Sequence, residues 1–104
     1  MEEKAKHLAQ LLKVLANQNR LLLLCALMES PKTVSALAAR VPNITQSALS
    51  QHLQLLRAHG IVDFNKCGQS ITYCVADQRV TEIIHTLKQY YCEWFRRSGA
   101  YQLP

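Results

Sequence analysis

The chain has 104 residues, 49% hydrophobic and 18% charged, which is enough for one domain with its own core (residues 1–104), too little for two, and unlike the composition of a disordered segment. Twelve Lys and Arg against seven Asp and Glu give a net charge of +5, which favours a polyanionic partner through counterion release from phosphates. The start, Met1-Glu2-Glu3-Lys4, lacks the pattern of a secretory signal, and the longest apolar run, residues 21–28, is too short to span a bilayer; both features point to a cytoplasmic protein with no membrane partner.

In chain order, Leu8, Leu11, Leu12 and Leu15 recur at helical spacing over residues 3–16 and predict an amphipathic first helix. After Asn17-Gln18-Asn19, residues 20–29 are apolar nearly all round, as befits an enclosed core helix, and Ser30-Pro31 stops it. Thr33 is placed to cap a short helix carrying Val34, Leu37, Ala38 and Val41, and Pro42-Asn43 forces a tight turn. Thr45 then opens a second helix with a core stripe of Leu49, Leu53 and Leu56, ended by Gly60.

Beyond Gly60 the period becomes alternating: Ile61-Val62-Asp63-Phe64 and Ile71-Thr72-Tyr73-Cys74-Val75 flank Cys67-Gly68-Gln69, a β-hairpin with a glycine turn. Asp77 caps a long final helix with Val80, Ile83, Ile84, Leu87, Tyr91 and Phe95 along one side, and residues 98–104 read as a fraying tail. The expected fold is mainly α with a small β-hairpin, a winged helix-turn-helix of about five helices and a two-stranded wing.

The second helix of such a unit can enter a major groove. With its leucines inward, Gln46, Ser47, Ser50, Gln51 and Gln54 face outward, offering amides and hydroxyls to base edges or phosphates with no carboxylate among them. His52 could contact base or phosphate, or orient a neighbouring side chain from the helix flank. Lys66 and Gln69, near the wing tip, are placed to touch the flanking backbone. No acid lies between Glu29 and Asp63, whereas Lys32, Arg40 and Arg57 do, so this central stretch reads as cationic. Double-stranded DNA is the partner these features favour.

Leu15-Ala16-Asn17, Arg20-Leu21, Gln46-Ser47-Ala48-Leu49-Ser50-Gln51-His52-Leu53, Leu56-Arg57 and Gly60-Ile61-Val62 resemble the ArsR/SmtB family of bacterial repressors, over residues 8–92. The resemblance implies a homodimer paired through its first and last helices, binding an inverted-repeat operator and released by an inducer. The first and last helices also carry more apolar surface than one small protomer can cover.

Four cysteines, Cys25, Cys67, Cys74 and Cys92, contain no close zinc-type pair, and in a reducing compartment they are candidates for buried, metal-binding or redox-active thiols. The paired-cysteine metal site of the family would fall near residues 34–40, where no cysteine stands. The family's zinc site on the last helix aligns with Asp77, Arg79, Tyr90 and Glu93, so both histidines are lost, and no metal or other cofactor is expected. Leu21-Leu22-Leu23-Leu24-Cys25-Ala26-Leu27 and Leu87-Lys88-Gln89-Tyr90-Tyr91-Cys92 resemble instead the persulfide-sensing and redox-responsive branch. That resemblance assigns Cys25 and Cys92 as a sensing dithiol, with reactive sulfur species as the inducer. At 100° per residue Cys92 projects about 80° from Ile84, on the flank of the apolar side. Cys67 and Cys74 depart from this pattern, as incidental wing thiols or as a second oxidation or metal site near DNA.

A metal-responsive repressor of the same fold is the nearer alternative. A small thiol oxidoreductase is the more distant one, disfavoured because the chain has no Cys-x-x-Cys, phosphate loop or nucleophile elbow, and His7, His52, His59 and His85 form no catalytic pattern.

Overall fold

Each helix after the first begins where a short polar side chain can accept a backbone N–H that the helix itself leaves unpaired. Asn17 Oδ1 accepts from Arg20 N at 3.1 Å, Thr33 Oγ1 from Ala36 N at 3.2 Å, Thr45 Oγ1 from Ala48 N at 3.0 Å, and Asp77 Oδ1 from Arg79 N at 3.0 Å. The computed structural model describes residues 1–92, and of Cys92 the backbone. Its elements are α1 (Glu2–Leu15), α2 (Gln18–Glu29), β1 (Lys32–Thr33), α3 (Val34–Ala38), α4 (Gln46–Ala58), β2 (Val62–Cys67), β3 (Ser70–Val75) and α5 (Gln78–Leu87), followed by a π-helical turn over Lys88–Cys92. Glu93, Phe95 and the tail at residues 98–104 lie outside the described residues.

The expected winged helix is present, with differences of physical interest. Asn17 acts as a cap, so α2 starts at Gln18 and the break from α1 is only Ala16-Asn17, where the two helices bend by 88°. Helix α3 ends at Ala38, and Val41, expected on it, is buried in the turn beyond. The sheet has three antiparallel strands in the order β1-β3-β2 rather than two. Pro31 and the extended Ser30 carry the chain along the outer edge of β3, where Lys32 pairs with Tyr73 and Thr33 with Thr72. The last helix loses its regular α register at Leu87. A π turn closes i→i+5 bonds and advances less per residue than an α turn, so the 100° projection that placed Cys92 about 80° from Ile84 does not carry across it.

One apolar cluster holds the described elements together, with Leu23, Leu24 and Leu27 of α2, Leu37 of α3, Leu49, Leu53 and Leu56 of α4, and Val80 and Ile84 of α5 all buried in it. Helix α4 ends in a Schellman motif: Gly60, at φ +71°, donates to the Arg57 carbonyl at 2.9 Å, and Ile61 N donates to the Leu56 carbonyl at 3.0 Å. Ile61 and Leu56 are both fully buried, so the same turn that stops the helix seats the root of the wing. The Ile61 carbonyl then accepts from Ala76 N at 2.8 Å, which closes the open end of the hairpin. At the other end Cys67 pairs with Ser70, and Gly68, at φ +64°, takes the first position of the two-residue loop, where a glycine turn is needed.

These contributions are separable. In thermal or urea unfolding, Leu53→Ala should cost about 2–5 kcal/mol, because it opens a cavity in the seam. Thr45→Ala should cost about 1 kcal/mol through removal of the cap. Equal, small losses from both would mean that α4 is not seated on the core as described.

Candidate nucleic-acid interface

Helices α3 and α4 are joined by a turn in which Asn43 takes φ +59°, a left-handed conformation that asparagine tolerates better than most residues. The orientation of α4 follows from its leucines. Leu49, Leu53 and Leu56 are buried, which leaves Gln46, Ser47, Gln51 and Gln54 exposed, with Ser50 half-buried beside them. The structure therefore brings together on one helix face the five polar residues that the sequence picks out. Lys66 and Gln69 are exposed on the wing, the first on β2 and the second in its loop.

His52 does not join that face. At 100° per residue it lies roughly 170° round the helix from the centre of the five polar residues. It is half-buried, and its Nδ1 lies 3.3 Å from Nη1 of Arg20. Burial first, and the Arg20 charge second, hold its pKa below the usual 6.5. Arg20 is a residue that sequence spacing does not single out: nothing in its local pattern places it beside a histidine 32 positions away.

The cationic stretch also looks different in three dimensions, because the acids that bound it reach back into it. Arg40 donates to both oxygens of Glu29, at 3.0 and 2.9 Å, and Lys32 Nζ stands 3.8 Å from the same carboxylate. Arg57 Nε lies 3.3 Å from Asp63 Oδ1, and its guanidinium sits 4.2 Å above the centre of the Phe64 ring. Phe64 in turn packs against Tyr73, ring centres 5.5 Å apart. The hydrogen bond from Arg40 holds Glu29 below the usual carboxylate range, and the Phe64 backbone N–H, followed by Arg57, does so for Asp63. Exposed pairs of this kind contribute little to stability, so phosphate oxygens can compete for the same cations. Arg57 also bridges α4 to the wing, a role that sequence spacing does not reveal.

Of the thiols, Cys25 is half-buried on α2, Cys74 is half-buried on β3 opposite Asp63, and Cys67 is exposed at the end of β2. The Cys92 backbone lies in the π turn. Among the described residues no three His, Cys, Asp or Glu side chains gather as metal ligands do. Asp77 caps α5 and is paired with Arg79 at 2.9 Å, so a cation occupies the place where the family's zinc site has a histidine.

Comparison with known proteins agrees with this architecture. Residues 17–63, the segment from the α2 cap to the start of the wing, match the family described as bacterial regulatory protein, arsR family. The chain is 38% identical over 92 residues to the HTH-type transcriptional regulator YgaV of Escherichia coli, covering 88% of this chain and 93% of that protein. The reduced form of HlyU from Vibrio cholerae superposes with a TM-score of 0.80 at 38% identity, covering 88% of this chain and 96% of the other. The transcriptional repressor BigR from Xylella fastidiosa gives 0.80 at 34% identity, with 88% and 93% covered. The match extends well beyond the helix-turn-helix, through the wing and into the last helix, and the chain belongs to the arsR family of bacterial regulatory proteins.

Proposed function

We propose that this chain is a DNA-binding repressor that acts as a homodimer on an inverted-repeat operator, reads it with α4, and is released when a Cys25/Cys92 dithiol is oxidised by a persulfide or related reactive sulfur species. The observation that carries the reading is the face of α4: five polar side chains without a carboxylate, on a helix whose opposite side is locked into the core. Gln46, Ser47, Ser50, Gln51 and Gln54 would supply base and phosphate contacts, with Lys66 and Gln69 of the wing on the flanking backbone. His52 supports the helix from behind. The relatives carry the names of both activators and repressors, such as the transcriptional activator HlyU and the biofilm growth-associated repressor, and repression is the mode we assign.

Pairing is supported by the apolar surface of the end helices. Leu8 and Leu12 of α1, and Leu87, Tyr90 and Tyr91 at the end of α5 and its π turn, keep 47–70% of their surface exposed in the isolated protomer. That is the cost a second copy would remove.

The sensing reaction needs no metal. A thiolate of the pair takes the sulfane sulfur of an organic persulfide and releases the organic thiol. The second thiolate then attacks the cysteine-bound sulfur of this new persulfide, closing a Cys25–Cys92 bridge with loss of hydrosulfide. Where both thiols have first taken up a sulfane sulfur, attack of one terminal sulfur on the cysteine-bound sulfur of the other persulfide, with loss of hydrosulfide, would leave a polysulfide bridge. The assignment is supported by the resemblance around both cysteines and by the likeness to HlyU, solved in a reduced form, and to BigR. A tie between the core helix and the end of α5 would alter how the pairing helix packs, and with it the spacing of the two reading helices.

Three outcomes test the separate parts. Ser50→Ala with Gln51→Ala should weaken binding to an operator duplex in gel shifts, by roughly 1–3 kcal/mol for each base interaction removed, while the dimer persists; unchanged affinity would remove α4 as the reader. Light scattering at micromolar concentration should give the dimer mass with and without duplex, and a monomer mass would remove the pairing. After treatment with organic persulfide, mass spectrometry should find a bridge joining Cys25 to Cys92, and Cys25→Ser or Cys92→Ser should bind operator and ignore the persulfide. Release retained in those variants, or produced by zinc in the reduced protein, would assign the effector elsewhere.

A further inference from the structure

Arg20, in the first turn of α2, divides its guanidinium between two other helices. Nε donates to the Val14 carbonyl at 2.6 Å, in the last turn of α1, and Nη1 lies 3.3 Å from Nδ1 of His52 in the middle of α4. Its own backbone N–H is held by the Asn17 cap at 3.1 Å, so the base of this side chain is fixed where α1 and α2 meet. Arginine and histidine are both half-buried. A guanidinium offers donors and no acceptor, so the contact with His52 is a hydrogen bond only while Nδ1 keeps its lone pair. The bonded ring is therefore neutral, with its proton on Nε2.

We propose that Arg20 is a positioning residue for DNA reading: by bonding Val14 of α1 and His52 of α4 together, it sets the angle of the reading helix against the pairing helix, and protonation of His52 opens this latch. The inference rests on the assignment of α4 as the reader and α1 as part of the dimer interface. Its geometric basis is that leucines pack α4 against α2, while the directed side-chain bond of Arg57 runs from α4 to the wing and not to α1 or α2. Apolar contacts fix burial firmly but leave rotation and sliding along the seam less constrained than a directed bond does. A latch from behind the helix orients the polar face without touching DNA.

The direction of the pH effect follows from the groups around the ring. Arg20 of α2 is the charge that acts on His52; Val14 of α1 presents a neutral carbonyl, and among the described residues no charge of the sheet acts on the ring. Burial and Arg20 lower the folded-state pKa below 6.5, so as the pH falls through that region the unfolded chain takes up the proton before the folded one. The latch's contribution to stability is full above pH 6.5 and declines below it, and the latch itself opens as the pH falls through the lowered folded-state value.

The test uses the full-length dimer and a duplex that the wild-type protein selects from a randomised pool. Affinity is measured at fixed salt from about pH 8 to about pH 5.5, where histidine titrates, with thermal unfolding recorded alongside. His52→Asn places a non-titrating acceptor near the position of Nδ1. It should bind within about threefold of wild type at neutral pH and lack part of the wild-type decline at low pH, since His7, His59 and His85 remain. Arg20→Lys keeps the charge but not the forked donors, and should lose about tenfold at neutral pH while still folded.

A wild-type pH profile in His52→Asn, or wild-type affinity in folded Arg20→Lys, would overturn the proposal. Ser50→Ala with Gln51→Ala is the control. If it binds like wild type, the assignment of α4 as reader has failed; if it is weakened while the latch variants are not, only the latch has failed.

Discussion

The burial of one side of α4 against α2 is the constraint on which the rest of this molecule depends. Leu49, Leu53 and Leu56 interlock with Leu23, Leu24 and Leu27 in a single apolar cluster, and each buried leucine contributes roughly 1.5–3 kcal/mol relative to an exposed one. Because a helix has only so much circumference, choosing the buried side also chooses the exposed one. Gln46, Ser47, Gln51 and Gln54 face outward because the leucines cannot. The same seam sets the wing, since Leu56 is also the residue whose carbonyl accepts from Ile61 in the turn that ends the helix. The exposed polar face of α4 and the wing are thus two consequences of one packing decision.

Electrostatics refines this arrangement rather than creating it. Each described ion pair has at least one solvent-exposed partner, and pairs open to water are weak. Their effect is to hold cations in place and moderate them. Glu29 restrains Arg40 and Lys32 at the end of α2, and Asp63 restrains Arg57 between α4 and the wing. A net charge of +5 therefore overstates how much positive charge stands ready near the helix-turn-helix. Contact with phosphates would have to redistribute pairs that already exist, which favours a site that presents phosphates in the right places over one that does not.

Much of the fold is legible in the sequence because it depends on local chemistry. Thr33, Thr45 and Asp77 cap as their positions suggest, the leucine stripe of α4 has helical spacing, and Gly60 and Gly68 stand where positive φ is required. The polar face of α4 can be read for the same reason. What escapes is long-range or too short to show a period. Strand β1 is two residues long and exists because β3 lies beside it. The bond between Arg20 and His52 joins positions 32 apart, and the pairing of Arg57 with Asp63 and Phe64 needs the turn at Gly60 to bring helix and strand together. The π turn after Leu87 breaks the assumption of constant helical pitch on which any projection to Cys92 relies. The proposed dithiol belongs to a different category, since resemblance suggests the pairing of Cys25 with Cys92 and no spacing within this chain does.

The central claim is that two copies of α4 read adjacent major grooves of one operator. Methylation interference at guanine N7, which lies in the major groove, tests it most directly on a duplex selected by the wild-type protein. Interference in two clusters related by a two-fold axis, with centres one helical turn or roughly 34 Å apart, is the predicted result. Interference confined to one half of the site, or affinity indifferent to N7 methylation throughout, would contradict it.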